Sequence, residues 1–117
     1  MTAKRVLLDT DIGTDVDDLL ALALALNSAE IRLEGVTTVS LEPENRAKLA
    51  MKALRAAGQA DVPVFAGLSK PLLRDGEAVW GRYDGHGVDI VDMPEPPQTN
   101  AVEFLVSQIT GSPGELT

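Results

Sequence analysis

Apolar and polar positions fall in blocks along this chain, and each block predicts an element. Lys4 to Leu8 (KRVLL) is a short apolar run that reads as a buried strand. Leu19 to Ala29 alternates Leu with Ala, which would suit a strand. Leu and Ala are strong helix formers, however, and the run holds no β-branched residue. It therefore predicts a helix buried on most of its surface. Asp15, Asp17 and Asp18 stand at its front, where caps and the helix dipole favour carboxylates. Ile31 to Val39 (IRLEGVTTV) is rich in β-branched residues and predicts a second strand. Glu42 to Ala57 places Ala, Leu and Met at helical spacing between Arg and Lys, an amphipathic helix stopped by Gly58. Val62 to Phe65 is a third short strand, with Pro63 pointing to an edge or a strand start. Thr99 to Thr110 reads as a helix capped near Thr99 or Asn100, with Gly111 behind it.

The predicted order is strand, helix, strand, helix, strand, long loop, helix. It implies an α/β fold with an open, mostly parallel sheet flanked by helices, and such sheets bind ligands beyond the carboxyl ends of their strands. Residues 67–97 are Gly- and Pro-rich and hold Trp80, Tyr83 and His86. A loop of that length inside a compact domain is usually functional or mobile. The chain stops after a helix, where a βα series calls for another strand. Residues 1–117 are thus expected to be the N-terminal part of a larger domain, truncated rather than finished.

Composition narrows the classes. With 117 residues, 44% of them hydrophobic, the chain fits one small domain with a modest core. The formal net charge is -8 and no Lys/Arg run could track a phosphate backbone, so nucleic acid is not an expected partner. The absence of Cys excludes disulfides and thiolate-held zinc and is compatible with the cytoplasm, the expected location. The apolar run at LLALALAL falls well short of the roughly 20 residues of a membrane span, so no membrane association is expected.

The chemistry lies in LLDTDIGTDVDDLLAL, where Asp9, Asp11, Asp15, Asp17 and Asp18 crowd together between two apolar runs. One or two would be ordinary loop and cap residues. Five carboxylates repel one another unless a cation accepts their oxygens. Hard oxygen donors suit calcium, with magnesium less favoured, and the single His and missing Cys argue against zinc. The spacing is not an EF-hand: counted from Asp9, Thr14 replaces the loop's Gly and Leu20 its closing Glu. Gly13 would let the backbone turn so that Asp11 converges with Asp17 or Asp18. One carboxylate could then hold a metal while another takes a proton from water.

DTDIGTDVDDLLAL resembles the opening signature of the inosine–uridine-preferring nucleoside hydrolases, DTDxGxDD before an apolar helix. Here two extra residues precede the Asp17–Asp18 pair, as in a divergent branch of that family. GVTTVSLEPENRAKLA resembles the family's second strand and the loop after it, VPVFAGLSKPLL its VPVxxGxxxPL segment, and SPGELT the lead-in to its fourth strand. The resemblance implies a calcium-dependent enzyme of purine or pyrimidine salvage in which water attacks the anomeric carbon of a nucleoside and the base departs. On that pattern Asp11 is a metal ligand and the catalytic base, Asp18 a second metal ligand and Asp17 a contact to ribose hydroxyls. Asp9, Asp15 and Gly13 are supporting residues. The family's sugar-binding Asn falls on Glu42, and its Gly on Leu41. Trp80 stands near a position where many members have His. Trp80 or Tyr83 could stack on the base or simply pack in the loop. His86 could donate a proton to the leaving base or be a hydrogen-bonded loop residue. The remaining ligands of such a site lie beyond Thr117, so the isolated chain is expected to have little or no activity. It is expected to act as part of a homo-oligomer or with a complementing chain. Two rival readings remain: a haloacid dehalogenase-like phosphatase using the Asp9/Asp11 pair with magnesium, and a non-catalytic metal-binding fragment.

Overall fold

The computed structural model describes residues 2–73, 87–97 and 100–117. In chain order the elements are β1 (Lys4–Thr10), α1 (Asp17–Asn27), β2 (Ile31–Thr38), α2 (Pro43–Ala56), β3 (Val64–Ala66) and α3 (Ala101–Gly111). The strands form one parallel sheet in the order β1-β2-β3, so the expected open α/β architecture holds. Each βα step advances the sheet in the same direction. With right-handed crossovers this puts α1 and α2 on one face. There Leu22 of α1 and Ala47, Ala50 and Leu54 of α2 close over Val36 and Val64 to make the core, with Ile12 of the acidic loop included.

The connection after β3 reverses direction. The last residues lie along the other edge of β1: Leu116 bridges Arg5 in parallel, and Leu7 N–H donates to Thr117 O at 2.9 Å. Helix α3 accordingly covers the opposite face. Its Phe104 ring stacks on Phe65 at 4.4 Å, above Gly35 of β2. A Cβ at Gly35 would sit 2.5 Å from the Phe104 ring, so the close seat of α3 requires glycine there. A bulge at Glu34 shifts the β1–β2 register between Val6 and Leu7. Arg5 Nε donates to the Glu34 carboxylate at 2.7 Å. That hydrogen bond is the main reason the Arg5 pKa is raised; desolvation opposes it, and the charges of Glu34 and Glu115 add to the rise.

Several sequence expectations need correction. Helix α1 begins at Asp17 and is not buried on most of its surface: only Leu22 is buried, while Leu20 and Leu24 are 60% and 68% exposed. Its Leu/Ala pattern is apolar all round, but the sheet covers one side only. Its cap position falls on Val16, which makes no side-chain cap bond, so Asp17 and Asp18 contribute by charge in the first turn rather than by capping. Strand β3 starts at Val64, directly after Pro63, and is the outer strand of the described sheet. Asn100 does cap α3, accepting from Val102 N–H at 2.8 Å, but Gly111 is the last helical residue rather than the stop. Of the expected 67–97 loop, the described residues contain neither helix nor strand. Residues 67–69 continue the pairing with β2's end, and the buried Met93 lies in the later part. There Lys48 pairs with Glu95 at 2.5 Å, which ties the segment to α2.

Candidate active site

The acidic loop leaves the carboxyl end of β1, between β2 on one side and the reversed terminal segment on the other. This is a topological switch point, the position where open α/β sheets leave a crevice for ligands. Successive strand residues point to opposite faces, and the loop's geometry follows from that. Asp9 accepts from the buried Thr37 hydroxyl at 2.7 Å across the strand pair. Thr10, the next residue, is itself buried and donates its hydroxyl to Asp18 Oδ1 at 2.5 Å. The same hydroxyl accepts from Ile12 N–H at 3.1 Å, so one side chain shapes the turn and orients the carboxylate that begins α1. Gly13 follows at φ 120, a backbone that side-chain-bearing residues rarely adopt, in keeping with the tight turn expected from the sequence.

Asp9, Asp11, Asp15 and Asp17 are exposed and Asp18 is half-buried. Glu42, at the cap position of α2, is exposed too and accepts from Asn45 Nδ2 at 2.8 Å. Trp80, Tyr83 and His86 lie outside the described residues. Among the described residues no three His, Asp or Glu side chains converge closely enough to hold an ion. The donors therefore fit a hard cation in kind but not in number, since calcium takes six to eight oxygens. Asp11 and Asp18 are the residues that the sequence resemblance assigns to such an ion, and it would need further oxygens.

Sequence reasoning missed Arg46. It is 1% exposed and reaches from α2 under the loop, donating to the carbonyls of Asp11 and Ile12 and to the Thr14 hydroxyl. A signal was present: Arg46 sits with Pro43, Ala47, Ala50 and Leu54 on the 3–4 stripe that faces the core, where a charge calls for an explanation. The buried Thr37 and Thr38 were likewise read only as strand formers. Thr38 Oγ1 donates to Pro43 O at 2.7 Å and so sets the start of α2. Ser40 and Leu41 link the two elements at φ 76 and 53, so Leu41 adopts the left-handed backbone that the glycine of the resembled pattern would take freely. The phosphatase reading finds no support, because its DxDxT pattern needs threonine where Gly13 holds φ 120.

Comparison with known proteins agrees with this geometry. The chain is 35% identical to the probable uridine nucleosidase 2 of Arabidopsis thaliana and 34% identical to the pyrimidine-specific ribonucleoside hydrolase RihA of Citrobacter koseri, with 97% and 98% of the chain covered. Its fold matches a purine-preferring ribonucleoside hydrolase from Gardnerella vaginalis with a TM-score of 0.80 at 28% identity, over 97% of this chain. A plant nucleoside hydrolase, PpNRh1, matches with a TM-score of 0.74 at 30% identity. The chain spans 37% and 38% of the length of the two curated relatives, and similar shares of the two solved chains. With the family model for inosine-uridine preferring nucleoside hydrolases matching residues 6–117, the chain belongs to that family.

Proposed function

We propose that this chain carries the ribose- and metal-facing part of a nucleoside N-ribohydrolase site. The observation that carries the reading is the acidic loop at the sheet's switch point, with Thr10 locking Asp18 and Arg46 locking the backbone of Asp11. In this reading the exposed Asp11 carboxylate takes a proton from the attacking water, and Asp17 in the first turn of α1 accepts hydrogen bonds from ribose hydroxyls. Asp11 and Asp18 would hold calcium, which when bound would make water easier to deprotonate. As the bond to the base breaks, positive charge grows on the sugar ring, and the surrounding carboxylates stabilise it. Glu42, at the cap position of α2, supplies an acceptor toward the sugar.

Relatives named for pyrimidine and for purine substrates both match over this segment. In this reading the part of the segment that both share, the acidic loop, serves the ribose common to both substrate classes. On this reading the chain alone turns nucleosides over slowly or not at all, because among the described residues no three carboxylates converge to complete the cation site. The test is a chimaera in which residues 6–117 replace the matching segment of the Citrobacter koseri enzyme, assayed for ribose release from uridine with calcium. Activity that Asp11→Asn lowers at least a hundredfold is expected. A folded chimaera without ribose release, or one indifferent to Asp11→Asn, would sink the reading. Turnover by the isolated chain that depends on Asp11 would overturn only the claim of inactivity.

A further inference from the structure

We propose that Arg46 is a positioning residue for the acidic loop, fixing the Asp11–Thr14 backbone so that the Asp11 carboxylate is presented to a divalent cation. The inference rests on the metal-dependent reading above. A buried arginine on the core-facing stripe of α2 is costly unless its donors are satisfied, and an apolar residue would pack there more simply. Its donors go to two loops at once. Nε donates to Ser40 O at 3.0 Å, Nη1 to the carbonyls of Asp11 and Ile12, and Nη2 to Thr14 Oγ1 at 3.0 Å.

The planar guanidinium therefore staples the turn after β1 to the left-handed turn after β2, where Ser40 holds φ 76. Asp11 is held on one side by the end of β1 and on the other by its own carbonyl, so its side chain leaves the backbone from a fixed Cα. Thr10 fixes Asp18 directly, donating its hydroxyl to that carboxylate. Arg46 also brings a buried positive charge beneath a loop that, with its flanks from Asp9 to Asp18, bears five aspartates. A lysine at this position could not span both turns, because an ammonium offers a point rather than a fork.

The experiment compares the full 117-residue chain with Arg46→Lys, Arg46→Met and Thr14→Val. Folding is verified by the NMR shifts of core amides such as Val36 and Leu54. Two readouts follow: hydrogen exchange of the Ile12 amide and its loop neighbours, and terbium luminescence titration with calcium competition. The expected result in folded Arg46→Lys is exchange at least tenfold faster and terbium binding at least tenfold weaker. Thr14→Val should move both in the same direction by less. A folded Arg46→Lys protein with loop exchange and ion affinity within twofold of wild type overturns the proposal. If Arg46→Met does not fold, the other two variants decide. If the wild-type chain binds neither ion, its incomplete site accounts for that, and the exchange comparison alone decides: loop exchange in Arg46→Lys within twofold of wild type overturns the proposal.

Discussion

Replacing Thr10 with Val tests the construction of the site most directly, because the side chain keeps its shape and loses only its hydroxyl. That hydroxyl donates to Asp18 and accepts from the Ile12 amide, in a place where Thr10 and Ile12 are 4% and 3% exposed. Losing it strands the Ile12 N–H away from water, at about 1–3 kcal/mol for a buried unsatisfied donor. Asp18 is half-buried, so water can replace the lost donor and that part of the cost is below about 1 kcal/mol. The total is about 1–4 kcal/mol, a large share of the ~5–15 kcal/mol that holds a domain folded. For 117 residues the unfolding entropy is about 0.25 kcal/mol per kelvin, so Tm should fall by roughly 4–16 °C. Urea and thermal unfolding followed by circular dichroism would measure it. Thr10→Ser, which keeps the hydroxyl, should recover most of the loss. Equal stability of the Val and Ser variants within about 0.5 kcal/mol would show that the hydroxyl bridge contributes nothing, and the reasoning would be refuted.

Two further outcomes follow from the packing. A Cβ at Gly67 would meet the Thr38 carbonyl at 2.5 Å, a backbone atom that cannot swing aside, whereas at Gly111, at the end of α3, nothing lies within 4 Å. Gly67→Ala should therefore destabilise by about 1–3 kcal/mol, and Gly111→Ala should stabilise by roughly 0.4–1 kcal/mol in the same urea assay; the same sign for both would contradict the contact geometry. Leu24 on α1 is 68% exposed, so Leu24→Gln should change the unfolding free energy by less than about 0.5 kcal/mol while reducing self-association in analytical ultracentrifugation. A loss of 2 kcal/mol or more would mean that this face is packed in the isolated chain.

The kind and order of the elements, and the acidic character of the turn after β1, are legible in the chain alone. Period and β-branching separate the strands from the helices, and crowded carboxylates beside Gly13 single out the turn after β1. Those signals are local, held within a few residues of chain, so they survive without coordinates. Only the tertiary structure decided that the terminal segment joins the outer edge of β1, which turns the acidic loop into a switch-point site. It alone decided that α1 buries one side rather than most of its surface, because burial depends on what stands opposite. It also brought Arg46, 35 positions from Asp11 along the chain, beneath the loop. Such partnerships are set by how α2 crosses the sheet, and no spacing within the acidic motif encodes them.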